Sequence, residues 1–386
     1  MMLKAGIGGR VPPFRVMDVI TAAGQRAASL APGAPRVIRL EAGQPNVGLP
    51  EGAKAAVEAA LHGADPLGYT ETLGRLSLRA ALQRHIGAWY GLDIALSRLM
   101  VTVGGSGAFP LAFLAAFEPG DEVALASPYY PPYLNILVAL GFKPIIMPCG
   151  LETGFQPTVE MLEALPRRPA GLIIASPANP TGSMLTPAAL ERLARWCHES
   201  GVRLISDEIY HGLTYGKPIC TASAFSPSAI VINSFSKYFS MTGWRIGWMV
   251  LPDELVRPAE RLAQNFFISA PYISQVAAEA ALGCHDELEA RRQTYQAARA
   301  VMLDGLHEAG FSRISPPDGA FYCYAELPET APDAMAYCAR LLAEKNLAAT
   351  PGLDFDEQRG QRFVRFSYCL PPETIAEAMA RLTPST

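Results

Sequence analysis

Short apolar runs alternate with helix-like segments between about residues 100 and 250 of the chain. The runs are four to six residues long and rich in Val and Ile, and in chain order they are LMVTV, EVALAS, KPIIMP, GLIIAS, VRLISD, AIVINS and IGWMVL. Because they lack the polar alternation of a half-exposed sheet, they are typical of strands that helices cover on both faces. One intervening segment, TPAALERLARWCHES, begins with Thr186, which can cap a helix, and Pro187, which suits its first turn. The pattern therefore predicts an α/β fold with a mainly parallel, seven-stranded sheet wrapped by helices.

The pattern changes near residue 285. A long, charged, Ala-rich helical segment (285–310) is followed by the apolar run GAFYCYAEL, a second helical segment (331–345) and the run RFVRFSYCL. This succession predicts a smaller α+β domain over residues 286–386, which follows a large domain over residues 46–285. Residues 1–45 are too polar and Pro-rich to fold alone, so we expect them to join the small domain.

Composition and charge exclude several kinds of partner. Of the 386 residues, 50% are hydrophobic and 18% are charged, and the formal net charge is −4. No run of Lys and Arg exceeds two adjacent residues, so neither nucleic acid nor an anionic membrane is an expected partner. The most apolar segment, GAFPLAFLAAF, is too short to cross a bilayer, which needs about 20 residues. The first residues likewise contain too short an apolar stretch for a signal peptide.

The seven cysteines are dispersed along the chain and form no CxxC pair. An odd, scattered set in a chain of this size is typical of reduced thiols in a core. The HExxH motif is absent as well, so the sequence predicts no metal site. These features together predict a cytoplasmic protein.

Residues with versatile chemistry follow the predicted central strands. In doubly wound sheets, ligands bind beyond the carboxyl ends of the strands. Here those ends supply glycines, hydroxyls, an amide, an acid, aromatic rings and a lysine, in the motifs GGSGAF (104–109), SPYYPPY (127–133), SPANPTG (176–182), DEIY (207–210) and NSFSK (233–237). Because these ends converge on one edge of the sheet, they predict a ligand site there.

Each motif also has a purely structural interpretation when it is taken alone. A glycine turn that opens a helix at Ser106 can hold an anion such as phosphate, but such turns are often only structural. The turn has neither the GK[ST] ending nor the six-residue dinucleotide fingerprint, which disfavours a nucleotide. Asp207 could cap a helix, Asn179 could belong to an ordinary turn, and Lys237 could be a surface lysine.

The combination is more specific than its parts. A phosphate cradle, an acid, a tyrosine, an asparagine, an aromatic ring and a lysine on one edge suggest pyridoxal phosphate, which forms a Schiff base with lysine. In this chain Arg245 follows Lys237 by eight residues, and the lysine itself ends an N-x-x-S-K spacing. From GQP at residue 43 to VRFSY at residue 364, the chain resembles the fold type I pyridoxal phosphate enzymes, specifically the class I/II aminotransferases around aspartate aminotransferase.

This resemblance implies roles for individual residues around the cofactor. Lys237 would hold the cofactor as an internal aldimine and then move the α-proton, while Asp207 would pair with the pyridinium nitrogen. Tyr210 and Asn179 would hydrogen-bond the ring hydroxyl, and Tyr130 would stack on the ring face. The phosphate would be bound by Gly105, Ser106, Ser234 and Arg245.

The resemblance also implies contacts with the substrate and with a second subunit. Arg365 would bind the substrate α-carboxylate, helped by Asn179 and by the backbone of Gly43. Tyr69, in the motif GYTETLG, would reach the phosphate held by the neighbouring subunit, which implies a homodimer with shared active sites. The implied reaction is amino transfer from an L-amino acid to a 2-oxo acid.

Some positions depart from the family pattern or have no role in it. Aspartate-selective relatives often carry a lysine where this chain has Ser106, so we expect apolar or aromatic donors to rival aspartate. Asp356 stands where relatives commonly have glycine, and the sequence offers no explanation for it. Aromatic neighbours of the pocket are expected among Phe14, Tyr129, Phe267 and Tyr322. His211 is expected to be structural, and Glu208, which would point away from the ring in an extended segment, is assigned no role.

Two other function classes share parts of this pattern. A C–S β-lyase or an aminocyclopropane carboxylate synthase-like enzyme would use the same cofactor site and differ only in the later chemistry. A non-catalytic, cofactor-binding regulator would carry a DNA-binding domain, and the sequence contains no basic helix for that purpose. The products distinguish the three classes: amino transfer to an oxo acid, release of pyruvate and ammonia, or no turnover.

Overall fold

The computed structural model describes residues 6–383. Its helices are α1 (Arg15–Ala28), α2 (Glu51–His62), α3 (Leu76–Tyr90), α4 (Gly104–Ala116), α5 (Pro131–Ala139), α6 (Val159–Glu163), α7 (Pro187–Glu199), α8 (Asp253–Phe266), α9 (Tyr272–Ala281), α10 (His285–Glu308), α11 (Ala334–Lys345) and α12 (Pro372–Leu382). Its strands are β1 (Ile38–Arg39), β2 (Leu99–Thr102), β3 (Glu122–Ser127), β4 (Lys143–Pro148), β5 (Gly171–Ala175), β6 (Arg203–Asp207), β7 (Ile230–Ser234), β8 (Gly247–Val250), β9 (Tyr322–Glu326), β10 (Leu347–Ala348), β11 (Thr350–Pro351) and β12 (Phe363–Ser367).

Strands β2 to β8 form one seven-stranded sheet in the order β2-β8-β7-β6-β5-β3-β4. Neighbouring strands are parallel except at β8, which runs antiparallel to both β2 and β7. Each of the seven apolar runs in the sequence supplies one of these strands. The predicted α/β fold with a mainly parallel, seven-stranded sheet is therefore confirmed.

Alternate residues of the central strands face two separate hydrophobic cores. In β5, Ile173 packs in the core that contains residues of α4, α5 and α8, whereas Leu172 and Ile174 pack in the core that contains residues of α3 and α7. Successive side chains of a strand point to opposite faces, so a strand between two cores needs apolar residues at every position. This explains why the runs show no polar alternation.

The C-terminal region is built around a small antiparallel sheet with the order β11-β12-β9. Strand β12 places Arg365 opposite Tyr324 of β9. Near the other end of the chain, β1 pairs in parallel with β10 and sets Ile38 opposite Leu347. The domain boundaries after residues 45 and 285 stay a prediction, and residues 1–5 and 384–386 of the predicted segments lie outside the described residues.

Two expectations from composition concern the thiols and the membrane. All seven cysteines lie within the described residues and are free, and five of them are buried. No helix between residues 6 and 383 is both long enough and apolar enough to cross a membrane.

The sheet brings the predicted polar motifs to one edge. Because β5, β6 and β7 are parallel, Asp207 and Ser234 end their strands at the same edge. Strand β8 starts again from this edge, since it runs antiparallel to β7. The connecting segment 235–246 therefore stays at the edge, and it carries Lys237 and Arg245.

Candidate active site

A cavity of about 340 Å³ opens beyond this edge of the sheet. One wall is formed by strand ends and the loops after them, which contribute Ala175, Asn179, Asp207, Ile209, Tyr210 and Lys237. The other wall is formed by the N-terminal segment and the small sheet, which contribute Phe14, Val16, Met17, Ile20, Arg39, Gly43, Tyr322 and Arg365. We call them the strand-end wall and the N-terminal wall.

Lys237 lies in the strand-end wall, three residues after β7. Its Nζ donates a hydrogen bond of 2.5 Å to the carbonyl oxygen of Gly43 in the opposite wall. Burial lowers the pKa of Lys237 to about 8, and the positive charge of Arg365 acts in the same direction. More of this amine is therefore neutral at pH 7 than in an exposed lysine, as a nucleophile requires.

Asp207 ends β6 and is buried, with 2% of its surface exposed. One carboxylate oxygen accepts a hydrogen bond from the Tyr133 hydroxyl, and the other accepts from the backbone N–H of Ile209 at 3.1 Å. Burial raises the pKa of the Asp207 carboxyl to about 6, although both hydrogen bonds oppose this shift. A cationic nitrogen beside this carboxylate would compensate its buried charge.

Tyr133, which contacts Asp207, was assigned no role from the sequence. It lies in the first turn of α5, three residues after Tyr130, and residues three apart share one face of a helix. The two rings meet edge to face at 5.4 Å between centroids, and Tyr130 contacts Phe14 of the N-terminal wall in the same way at 5.9 Å. The spacing of the tyrosines in SPYYPPY was the signal that could have identified Tyr133.

The predicted ring-hydroxyl ligands, Tyr210 and Asn179, contact residues of the N-terminal wall. The Tyr210 hydroxyl is hydrogen-bonded to the Tyr322 hydroxyl at 2.8 Å. The side-chain oxygen of Asn179 accepts from Nη1 of Arg365 at 2.9 Å. Both residues are buried, and these two hydrogen bonds connect the strand-end wall with the small sheet.

The predicted phosphate ligands gather where α4 begins. Nη2 of Arg245 lies 3.5 Å from Oγ of exposed Ser106, and the Ser234 hydroxyl donates to Oγ of Ser236 at 2.9 Å. Gly104, which we did not predict, has a φ of +69°, and a Cβ there would lie 2.6 Å from Nη2 of Arg245. A side chain at residue 104 would therefore clash with this guanidinium. At Gly105 the built Cβ is 3.7 Å from Cβ of Ser234, which places this glycine in the same cluster.

Arg365 of β12 is buried, yet its guanidinium keeps one unused donor. Nη2 donates to the carbonyl oxygen of Glu41 at 2.7 Å and to Oγ1 of Thr350 at 3.3 Å. Nε has no hydrogen-bond partner among the described residues. The guanidinium carbon lies 4.5 Å from the centroid of the Tyr322 ring. A buried, incompletely paired guanidinium that reaches a cavity suits a carboxylate.

Two of the expected aromatic neighbours, Tyr129 and Phe267, are not among the described residues that line the cavity, and the predicted phosphate ligands are not among them either. Tyr69, which is predicted to serve the neighbouring subunit, is 82% exposed. Of the expected aromatic neighbours, Phe14 and Tyr322 do line the cavity.

Glu208 and His211 form a buried network behind Asp207. Glu208 accepts from the Ser206 hydroxyl and from the backbone N–H of Ala222, both at 2.9 Å. Nε2 of His211 lies 3.0 Å from the carbonyl oxygen of Ser176, and burial lowers the pKa of His211 to about 4. The neutral ring therefore donates through Nε2. These contacts are structural, as we expected for His211, and they give Glu208 a role that the sequence did not assign.

Asp356 holds a turn at the border between the two sheets. Its carboxylate accepts from the backbone N–H groups of Gln358 and Arg359 at 3.0 and 2.9 Å, and from Nε of Arg359 at 2.8 Å. Nη2 of Arg359 in turn donates to the carbonyl oxygens of Ser127 and Cys149. Asp356 thus orients the arginine that joins this turn to the end of β3.

The family of the chain follows from comparison with known proteins. The family model for "Aminotransferase class I and II" matches residues 35–382. The chain belongs to this family. A valine–pyruvate aminotransferase from Mycobacterium tuberculosis is 45% identical to it, and the alignment covers 98% of this chain and 97% of that protein. An aspartate/prephenate aminotransferase from Thermus thermophilus is 33% identical, over 89% of this chain and 90% of that protein.

Solved structures agree with this assignment. A crystal structure of an aminotransferase from Mycobacterium tuberculosis matches with a TM-score of 0.95 and 44% identity, over 98% of both chains. Thermus thermophilus aspartate aminotransferase with maleate matches with a TM-score of 0.91 and 31% identity, over 99% of both chains. The predicted family and the predicted reaction, transfer of an amino group from an amino acid to an oxo acid, are confirmed.

Class I and II aminotransferases depend on pyridoxal phosphate, so the predicted cofactor is confirmed as well. The residues of this aminotransferase fit that group. Glycine at 104 lets the Arg245 guanidinium approach the first turn of α4, where a phosphate would bind. The buried carboxyl of Asp207 suits a pyridinium nitrogen, and Lys237 supplies the amine.

Proposed function

We propose that this aminotransferase takes an L-amino acid with an apolar side chain, such as valine, as donor and pyruvate as acceptor. The observation that carries this proposal is the composition of the N-terminal wall, where Val16, Met17 and Ile20 of α1 line the cavity beside Phe14. An aliphatic side chain buried there would gain about 0.8 kcal/mol for each CH₂ group. The valine–pyruvate aminotransferase that is 45% identical to this chain supports the same substrate class.

Arg365 is the residue that would bind the α-carboxylate of donor and acceptor. Arg365 lines the cavity, and its hydrogen-bond partners among the described residues are neutral, so a substrate carboxylate would compensate its charge. Asn179 orients the guanidinium from one side through Nη1. Gly43 lets the N-terminal segment pack closely against Tyr322 of the small sheet, because a Cβ at residue 43 would lie 2.5 Å from the Tyr322 hydroxyl oxygen.

When pyridoxal phosphate is bound, it supplies an electron sink for the α-carbon of the substrate. Asp207 would keep the pyridine nitrogen protonated, since its buried carboxylate favours a neighbouring cation. Tyr210 and Asn179 would hydrogen-bond the ring hydroxyl from the same wall. Tyr130 would stack on the ring, with its own orientation held by Tyr133 and Phe14.

The phosphate would bind at the start of α4. The N–H groups at Gly105 and Ser106 belong to the first turn, where unpaired donors and the helix dipole favour an anion. Ser234 and Arg245 would complete the cradle. Lys237 would hold the cofactor covalently and, when released, would move the α-proton of the substrate.

Tyr69 is proposed to complete the site of a second subunit. The backbone N–H of the next residue, Thr70, donates to Oγ of Ser269 at 3.4 Å, which joins the Tyr69 loop to the exposed segment 266–268. Phe267 of this segment lies close to the start of α4, 3.9 Å from a Cβ built at Gly107. Exposed aromatic rings beside the phosphate cradle favour a subunit interface. The proposed assembly is a homodimer in which Tyr69 contacts the partner's phosphate.

Two further assignments belong to this proposal. The chain would divide into residues 1–45, 46–285 and 286–386, with the first segment joining the small domain, and the pairing of β1 with β10 supports this arrangement. The protein would work in the cytoplasm, where its seven free thiols would stay reduced.

A donor panel tests the proposed substrates. We expect kcat/KM for valine with pyruvate to exceed that for aspartate by about tenfold, which is about 1.4 kcal/mol. Met17→Ser should lower the value for valine several-fold, whereas Met335→Ser, at another exposed methionine, should not. A preference for aspartate over valine would contradict the proposal. Release of pyruvate and ammonia from a donor without an oxo acid would instead identify a β-lyase.

A further inference from the structure

One charged side chain of the N-terminal wall has no part in the proposed function. Among the described residues that line the cavity, the basic ones are Arg39, Lys237 and Arg365. The lysine and Arg365 are assigned to the cofactor and to the α-carboxylate. Arg39 is the remaining cation, and a planar guanidinium in a substrate cavity would normally attract a second carboxylate.

Arg39 already has a carboxylate partner inside the protein. Its Nε donates to Oε1 of Glu41, two residues further along the chain. Its Nη2 donates to the carbonyl oxygen of Ile20 at 3.2 Å, so α1 also holds the guanidinium. A substrate carboxylate would have to compete with both acceptors.

The two members of this pair differ in exposure. The Arg39 side chain is 36% exposed, whereas the Glu41 side chain is completely buried and does not line the cavity. Oε2 of Glu41 has no hydrogen-bond partner among the described residues. Removing Arg39 from Glu41 would therefore leave a buried carboxylate without compensation, which is strongly unfavourable.

The position of Glu41 is fixed from a second direction. Its backbone carbonyl oxygen accepts from Nη2 of Arg365, the proposed ligand of the α-carboxylate. The carboxylate that pairs with Arg39 is thus part of the segment that orients Arg365. The apolar side chains of Val16 and Met17 line the same cavity as Arg39.

From this arrangement we infer that Glu41 determines substrate specificity as a positioning residue. It occupies the ionic contacts of Arg39, so that the cavity offers no cation to the side-chain carboxylate of aspartate, glutamate or their oxo acids. The inference rests on the proposed function, because it assigns the preference for apolar donors to a particular ion pair.

Equilibrium binding to the holoenzyme tests this inference without turnover. The two probes are maleate, which has two carboxylates, and 3-methylbutanoate, which is valine without its amino group, and calorimetry measures both Kd values at pH 8. The wild type should bind 3-methylbutanoate more tightly than maleate. Glu41→Gln, which keeps the shape and removes the charge, should change the ratio of the two Kd values by about tenfold in favour of maleate.

The double variant Arg39→Gln/Glu41→Gln is the matched control, because it removes the freed cation as well. We expect its Kd ratio to return to within threefold of the wild type. A change below threefold in Glu41→Gln would overturn the inference, and so would a double variant that keeps the gain for maleate. A general loosening of the site would weaken both probes together and leave the ratio unchanged.

The double variant decides the matter alone if Glu41→Gln does not fold, because it leaves no buried charge without a partner. Because Glu41 already occupies Arg39 in the wild type, this variant should bind maleate within threefold of the wild type. A larger loss would show that Arg39 binds the second carboxylate directly, which contradicts the inference. The donor panel separates this failure from that of the proposed function, since the panel uses only the wild type and the methionine variants.

Discussion

The two walls of the cavity are assembled in different ways. The strand-end wall collects residues from one sheet and the loops after its strands, where the parallel pairing of β5 and β6 sets Ala175 beside Asp207. The N-terminal wall collects residues from distant parts of the chain. Arg365 contacts Glu41 across 324 residues of sequence, and Asp354 contacts Arg15 across 339.

The proposed catalytic residues therefore lie in one wall, and most of the residues that would select the substrate lie in the other. The strand-end wall rests on two apolar cores and holds four of the proposed cofactor ligands, which are Asn179, Asp207, Tyr210 and Lys237. The N-terminal wall is held by a small apolar cluster around Val16, Tyr324 and Phe355 and by polar contacts between distant chain segments, and it presents the side chains that would meet the substrate. Substitutions in the strand-end wall should therefore lower the catalytic rate strongly, whereas substitutions in the N-terminal wall should change the affinity and preference for the substrate. The four experiments below test this division, from the largest expected effect to the smallest.

Lys237→Ala should have the largest effect. Loss of the amine removes the proposed attachment point and proton carrier, so we expect multiple turnover to fall by about five orders of magnitude, or ~7 kcal/mol. Borohydride reduction with pyridoxal phosphate, followed by mass spectrometry, should label the wild type but not the variant. Lys217→Ala is the control, since this exposed lysine pairs with Asp318 far from the proposed chemistry. A Lys237→Ala variant that still turns over repeatedly would refute the assignment.

Asp207→Ala should have the next largest effect. Without the buried carboxylate the pyridine nitrogen would lose its proton, and we expect kcat to fall by about three orders of magnitude, or ~4 kcal/mol. Tyr133→Phe, which removes one hydrogen bond to the same carboxylate, should cost only about tenfold in kcat. If Asp207→Ala lowers only thermal stability and leaves kcat near the wild-type value, Asp207 merely caps the turn at Ile209.

Tyr69 tests whether the strand-end wall is completed by a second subunit. We expect Tyr69→Ala to weaken cofactor binding by about tenfold, because one hydrogen bond to the phosphate is lost. Mixed dimers of Tyr69→Ala with Lys237→Ala should regain one intact site, so activity at limiting cofactor should exceed that of either parent. Mixing Tyr69→Ala with the double variant Tyr69→Ala/Lys237→Ala should restore nothing. An active monomer, or no rescue despite confirmed subunit exchange, would place Tyr69 outside the site.

The same division explains what could be predicted from the sequence. The runs of Val and Ile between two cores identified the sheet, and residues at strand ends such as Lys237 and Asp207 could be placed because strand direction fixes where they end. Gly104 and Tyr133 were missed although each lies within a quoted motif, since their roles depend on a backbone angle and on a side-chain partner. Contacts that join the two ends of the chain have no local signal at all.

Asp354 is such a contact, and it gives the smallest and most specific test. Its carboxylate accepts from the backbone N–H groups of Arg15 and Val16 at 2.8 and 3.1 Å, and so caps α1 although Phe14, the residue before the helix, offers no side-chain cap. Asp354→Asn replaces one acceptor with an amide donor and should cost about 1 kcal/mol of capping energy. Because α1 carries the apolar side of the N-terminal wall, KM for valine should rise by about fivefold at nearly constant kcat.

Asp18→Asn is the matched control for this last experiment, since it removes the same charge from an exposed position in the first turn of α1 without touching the capped N–H groups. Its KM for valine should stay within about twofold of the wild type. Hydrogen exchange should show faster exchange in α1 of Asp354→Asn but not in Asp18→Asn, because only the first variant frees the helix end. An equal fall in kcat and kcat/KM would mean that α1 acts on the transition state, and the two walls would then not divide chemistry from selection.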